Sequence, residues 1–312
     1  MASTSSAARH AGRIFVAPAL ALMVVILLLP IVGVALLSLT DYGLGGDGPR
    51  WVGIDNFVKI FTQTRYMSMF GATLTYVLTV TPLSIGLGLG AALLIHSLRW
   101  GGAFYKTVFF LPVMATLMAM SVVWSFALHP TLGIVNSTLA SFCGADWLHA
   151  WPWFDRGCRS GFPLWLGDRS YAIWTVCFVG VWQGFGFNMV LFLAGLTSVP
   201  PELYQAAEMD GAGFFTKLFK VVLPMSWPTL SAFILITVVN EWNEYLWPFL
   251  ITDTPAAATL PVGLTRLQDA EGLTNWAPVM AGTVLTTLPM IIVFLALQKQ
   301  MIKGLTAGAV KG

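Results

Sequence analysis

Of 312 residues, 57% are hydrophobic and only 10% are charged, whereas a soluble domain carries roughly a quarter charged residues, so the chain belongs to the membrane class. A net charge of +2 gives no signal for nucleic acid. Three cysteines without a CxxC pair or zinc-ligand spacing exclude a disulfide scaffold and a cysteine metal centre.

Met1 to Arg13 is small, polar and basic, and an apolar run follows to about Leu39. That run outlasts the ~7–15 apolar residues of a secretory signal, so it reads as a retained first span. A span needs roughly 20 mostly apolar residues. Six stretches qualify, at about 14–39, 73–95, 107–128, 171–196, 229–251 and 278–298. Long apolar blocks without two-residue alternation favour helices over a barrel. The expected fold is all-α, one polytopic membrane domain over 1–312 with six transmembrane helices.

With both termini cytoplasmic, the inner segments carry Arg9, Arg13, Arg99, Lys106, Lys217, Lys220, Lys299, Lys303 and Lys311 against Glu202, Glu208 and Asp210. The opposite side is the acidic one, and Lys/Arg excess marks the cytoplasmic face. In the first outer segment, Gly and Pro punctuation predicts turns and then a short interfacial helix near Asn56–Phe61. Inside the second span, Gly86-Leu87-Gly88-Leu89-Gly90 has no preceding strand. Gly86 and Gly90 therefore read as a small-residue face for helix packing, not as a nucleotide fingerprint. The sequence contains no GxxxxGK[ST].

The outer loop 129–170 is rich in tryptophan: Trp147, Trp151, Trp153 and Trp165. Two readings stand, an aromatic belt at the membrane surface or a docking and sugar-stacking surface. Cys143 and Cys158 share this loop, and an oxidising outer compartment predicts a bridge between them. Asn136-Ser137-Thr138 matches a glycosylation acceptor by tripeptide alone.

Ionisable groups inside a span are costly and therefore informative. The fifth span reads Asn240-Glu241-Trp242-Asn243-Glu244-Tyr245-Leu246-Trp247. A continuous helix would place Asn240, Asn243, Glu244 and Trp247 on one face with Glu241 at its edge. Carboxylates and amides beside an indole suit sugar hydroxyls and rings, so these residues, with Asn188 of the fourth span, are the candidate substrate pathway. The alternative is polar pairing between helices. No nucleophile–base or metal constellation occurs, so no bond chemistry is expected.

The remaining polar island is 197–227, which holds Glu202, Gln205, Ala206, Ala207, Glu208, Asp210, Gly211, Leu223 and Pro224. Ser198, Pro200 and Pro201 predict a helix start and Gly211 its stop. Phe214, Phe215, Leu218, Phe219 and Val222 then form an amphipathic stripe able to rest on a membrane, with Lys217 and Lys220 on the wet side. Such a knob suits a cleft in a partner.

Gln205-Ala206-Ala207, three residues, Gly211, nine residues, Val221, one residue and Leu223-Pro224 resembles the EAA loop of binding-protein-dependent ABC importer permeases. Phe185-Gly186-Phe187-Asn188-Met189 and Pro200-Pro201-Glu202-Leu203-Tyr204 are similar to its sugar branch. Ser38-Leu39-Thr40-Asp41-Tyr42 and Val52-Gly53-Ile54-Asp55-Asn56-Phe57 resemble one type of paired permease, and Trp242-Asn243-Glu244-Tyr245-Leu246-Trp247-Pro248 the other. The resemblance implies import of a carbohydrate or polyol. It also implies a second homologous permease, two cytoplasmic ATPases that bind the ATP and Mg, and an extracytoplasmic sugar-binding protein. Where the family carries Glu, this chain has Gln205, leaving Glu202 or Glu208 to supply the charge. A proton-coupled secondary transporter using Glu241 and Glu244 is the competing expectation.

Overall fold

The structure, a computed structural model, describes residues 6–43, 48–98, 100–197, 200–251, 258–270 and 276–309. Ser198, Arg99 and Lys311, invoked above, lie outside them. In chain order the helices are α1 (Ser6–Met23), α2 (Leu29–Leu37), α3 (Asp55–Thr62), α4 (Thr64–Ser97), α5 (Gly102–Met114), α6 (Leu117–Ala127), α7 (Ile134–Ser141) and α8 (Pro152–Ser160). They continue as α9 (Arg169–Thr197), α10 (Pro201–Met209), α11 (Phe214–Lys217), α12 (Leu223–Trp242), α13 (Leu246–Ile251), α14 (Leu260–Ala270) and α15 (Ala277–Ala309). The described residues hold no strand, only an isolated bridge between Thr40 and Trp51.

Four helices are each long and apolar enough to cross a membrane: Arg13–Leu37, Tyr66–Ser97, Ser170–Thr197 and Ala277–Lys299. Two bent pairs bring the number to six if each crosses once. Gly102–Met114 meets Leu117–Ala127 at 92°, and Phe214–Trp227 meets Leu230–Ile251 at 74°. The third and fifth spans are both broken. In the third, Thr116 is extended and its hydroxyl accepts a hydrogen bond from the Ala119 amide, which starts a new helix. In the fifth, the bend falls between Trp227 and Leu230.

Two π-helical segments have a common cause. Val24–Leu28 and Leu218–Val222 precede Pro30 and Pro224. Each contains the carbonyl four residues before a proline, which the ring crowds and cannot bond, and a wider i→i+5 turn relieves that clash.

Residues 1–67 with 264–288 form one compact unit. In it, the buried Asn56 amide donates to the Ser38 and Thr40 carbonyls at 2.9 and 2.8 Å. The Arg50 amide donates to Asp41, and the Trp276 amide donates to the Tyr42 carbonyl. The two sequence motifs around Thr40 and Asn56 thus form one hydrogen-bonded corner, with α3 where a short helix was expected. None of the most apolar stretch of Arg13–Leu37 is buried, as fits a helix solvated by lipid.

Residues 68–263 with 289–312 form the second unit. One buried cluster joins Tyr76, Val80, Met120, Val176, Val179, Trp242 and Trp247; another joins Ala92, Ile95, Met189, Phe192, Leu196, Leu218, Val222 and Leu230. Helix α9 contributes to both. Close helix approach does not use Gly86 and Gly90, around which a Cβ would meet nothing within 4 Å. Gly88 takes that role instead: a Cβ there would lie 2.7 Å from the Asn188 Cβ and 2.9 Å from the Met189 nitrogen.

Residues 129–170 fold as a small helical segment tied by the expected Cys143–Cys158 disulfide. Asn136 is buried; it donates to the Pro130 carbonyl and accepts from the Trp165 indole, so it is no glycosylation acceptor here. Trp153 donates to the Tyr171 hydroxyl and packs on Phe162 and Trp165. Trp147 and Trp151 are 72% and 68% exposed, and Trp153, though held by these contacts, is still 42% exposed. Three of the four tryptophans therefore reach the surface, and Trp165 is the half-buried one.

Candidate functional site

Residues 200–227 fold as the expected knob, with details the sequence did not show. Helix α10 begins after Pro200, with Pro201 at its first position and Glu202 in its first turn, where an acid suits the positive helix end. It ends on Gly211 at φ +72°. The Gly211 amide donates to the Glu208 carbonyl and the Ala212 amide to the Ala207 carbonyl, at 3.0 and 2.9 Å. These are the two bonds of a Schellman stop. Lys217 then reaches back to Glu208 at 2.7 Å, so that lysine is not simply on a wet face. As a surface pair it contributes roughly 0–1 kcal/mol, but it fixes the angle between α10 and α11.

The expected membrane-resting stripe splits. Leu218 and Val222 are buried in the second core cluster, whereas Phe214, Phe215 and Phe219 are exposed. The reason is the π turn, which runs straight into α12 and turns two of the five residues inward. Glu202, Gln205, Ala206, Glu208, Asp210, Gly211 and Pro224 are exposed, Ala207 is buried and Leu223 is half-buried. Leu203, Tyr204 and Leu223 pack on the core cluster. The Tyr204 hydroxyl is buried with no hydrogen-bond partner among the described residues, and burial pushes its phenol above the ordinary value. Sequence reading missed Leu203 and Tyr204 as the seat of the knob; their spacing with Ala207 was the available signal. One face of α10 is anchored and the other is presented.

Replacing Gly211 by valine tests this seat. Space is open around it, so any cost is conformational: the left-handed region disfavours an L-residue by roughly 1–2 kcal/mol, more when β-branched. The expected outcome is a normally inserted protein whose 200–217 segment is cleaved faster by protease. Unchanged cleavage would show that Gly211 does not set the knob.

The second candidate, the fifth-span cluster, is rearranged. Helix α12 stops at Trp242, so Asn240, Asn243, Glu244 and Trp247 do not share a helical face. Pro248 is the physical reason, because its ring excludes a helical bond to the carbonyl four residues back, Glu244. That freed carbonyl accepts from the Thr259 hydroxyl, and the Glu244 carboxylate accepts from the Trp247 amide, starting α13. Asn243 donates to the Val239 carbonyl. Trp247 is 1% exposed and its indole donates to the Val176 carbonyl, so it is a core anchor. Asn188 is likewise buried, donating to the Gly184 carbonyl and accepting from Thr237. Asn240 and Asn243 are exposed.

Glu241 is the residue left facing polar chemistry. The buried Tyr76 hydroxyl hydrogen-bonds it from α4. Gly184 of α9 packs closely against Glu241 and Ser84: a Cβ there would lie 3.5 Å from the Glu241 Oε1 and 3.3 Å from the Ser84 Oγ. The Ser84 and Thr81 hydroxyls are buried with no partner among the described residues. Glu241 and the Ser84 hydroxyl thus meet at Gly184, a carboxylate and a hydroxyl brought together by close helix approach. Tyr76, Thr81 and Ser84 lie far from Glu241 in sequence, and no local pattern pointed to them.

Comparison with known proteins agrees with this architecture. Residues 84–306 match the family described as binding-protein-dependent transport system inner membrane component. The chain is 29% identical over 292 residues to the probable ABC transporter permease YesP of Bacillus subtilis, covering 91% of this chain and 89% of that one. It is 31% identical over 240 residues to the sn-glycerol-3-phosphate transport system permease UgpA of Escherichia coli O157:H7, covering 77% and 75%. Its fold matches a chain of a bacterial alginate ABC transporter, crystallised with an alginate pentasaccharide-bound periplasmic protein, at a TM-score of 0.72, 18% identity and 90% coverage of both. The chain belongs to the family of binding-protein-dependent transport system inner membrane components, the multi-pass permeases of ABC transporters.

Proposed function

We propose that this permease imports a carbohydrate or related polyol across a bacterial cytoplasmic membrane, with both termini and α10 on the cytoplasmic side. The observation that carries the reading is the knob: α10 is seated on the core by Leu203, Tyr204 and Ala207 and stopped by Gly211. A rigid helix with one anchored face transmits force from a docked partner into α4, α9 and α12. That partner is a pair of ATPase subunits holding ATP and Mg, and a second homologous permease completes the pathway. The chain itself makes and breaks no bonds.

Glu208 is engaged by Lys217, so Glu202 is the exposed acid of α10 best placed to replace the charge missing at Gln205. The disulfide in 129–170 supports an oxidising, extracytoplasmic setting for that segment, where a sugar-binding protein would deliver substrate. Substrate class draws support from the polar pair Glu241 and Ser84 beside Gly184, and from relatives named for glycerol-3-phosphate and alginate transport.

Reconstitution tests the whole reading. The purified permeases, ATPases and delivery protein in vesicles should take up labelled sugar only with ATP. Uptake driven by a proton gradient without ATPase subunits would refute it and favour coupling through Glu241.

A further inference from the structure

His149 lies midway between the two bridged cysteines, and both of its ring nitrogens are engaged. Nδ1 is 2.9 Å from an Asp155 carboxylate oxygen, and Nε2 is 2.9 Å from the Cys143 carbonyl oxygen. Both partners are acceptors. A neutral imidazole has one N–H and can satisfy only one of them, whereas an imidazolium donates to both. Arg159 holds the same carboxylate in two bonds, Nε to Oδ1 and Nη2 to Oδ2, each at 3.1 Å, which keeps Asp155 ionised and aimed.

We propose that His149 is an acid-closed clamp on the disulfide-bonded segment 142–160, locked when the ring is doubly protonated and released when it is neutral. The Cys143–Cys158 bond joins the two ends of this segment. His149 joins its middle to both ends, through the Cys143 carbonyl on one side and Asp155 of α8 on the other. Trp147 and Trp151 flank it and are exposed, so the clamp sets how firmly they are presented.

The charged groups around the ring are few. Asp155 and Arg159 face it from α8, and Asp146 adds negative charge from its own turn. The turn Phe142–Gly144 contributes only the Cys143 carbonyl, and Phe154 offers an edge-on ring. His149 and Asp155 are 34% and 23% exposed, so protons reach them from bulk solvent. The Cys143 carbonyl first, and Asp155 second, push His149 above its ordinary value; the bond from His149 holds Asp155 below its own.

The sign follows. A histidine raised above its unfolded value of about 6.5 lends stability that is complete below that pH and lost as pH rises through the folded value. The depressed Asp155 lends stability that is present above its unfolded value and lost only as pH falls through the lower folded one. The clamp is closed between the two and opens toward alkaline pH. If the segment faces outward, as proposed above, it senses external pH; the clamp itself does not depend on that orientation.

The test uses the full-length, oxidised protein in lipid nanodiscs with 15N-labelled histidine. Four histidines are present, and His149→Asn identifies the relevant resonance. The wild-type His149 should titrate above about 6.5, and amide protection across 142–160 should fall several-fold over the same pH range. Asp155→Asn should lower the His149 titration and move the protection loss to lower pH. Titration at or below the ordinary value, protection that does not follow pH after correction for intrinsic exchange, or an unshifted Asp155→Asn profile would each overturn the clamp. None of these readouts involves ATP or transport, so they fail independently of the importer reading.

Discussion

Gly186→Ala is expected to be strongly damaging for the addition of a single methyl. A Cβ on Gly186 would overlap the Phe109 carbonyl oxygen, and it would lie 3.0 Å from that carbonyl carbon and 3.3 Å from the Phe110 Cα. All three obstacles are backbone of α5, so no rotamer change relieves them; the helices must separate. Overpacking costs typically 1–3 kcal/mol where side chains can give, so a backbone clash along the α5–α9 contact should cost about 3 kcal/mol or more. Gly86→Ala is the matched control, since nothing lies within 4 Å of its added methyl. Removing a helix-interior glycine gains up to about 1 kcal/mol. Melting of the detergent-solubilised proteins should therefore separate them, Gly186→Ala far below wild type and Gly86→Ala near it. Equal melting of the two variants would show that α5 and α9 are not packed as described.

That pair of glycines also shows what the sequence could and could not reveal. The glycine run in the second span was readable as a packing feature, but the choice among Gly86, Gly88 and Gly90 depends on which face α9 covers, which no local pattern encodes. A helical fold with several spans was legible because long apolar blocks leave few other folds; the structure gives four such helices, or six if each bent pair crosses once. Span straightness was not, because a hydropathy window does not register Thr116 capping a new helix or Pro248 denying Glu244 a helical bond. The knob was legible from proline at its start and Gly211 at its end. Its seat was hidden, because Leu203 and Tyr204 look like ordinary apolar residues until the core beneath them is seen. Likewise the pathway residues were proposed from one helical face, and the break after Trp242 dispersed them, sending Trp247 into the core and leaving Glu241 beside Tyr76 and Ser84.

Glu241→Ala should therefore impair transport far more than folding. In the proposed importer Glu241 offers a carboxylate to substrate hydroxyls, and a hydrogen bond to a charged group contributes about 1.5–3 kcal/mol. Its loss corresponds to roughly a tenfold to hundredfold drop in uptake efficiency. The competing role is a tie between α12 and α4 through Tyr76. Tyr76→Phe separates the two, because it removes the tie and leaves the carboxylate beside Ser84. If Glu241 serves substrate, Tyr76→Phe keeps most of the uptake while Glu241→Ala loses it, and both melt near wild type. If Glu241 is a tie, the two variants lose stability and uptake together, and the polar pair at Gly184 is packing. Glu241→Gln refines the result: an amide still bonds hydroxyls but carries no charge, so intermediate uptake locates the effect in hydrogen bonding and uptake as low as alanine locates it in the charge.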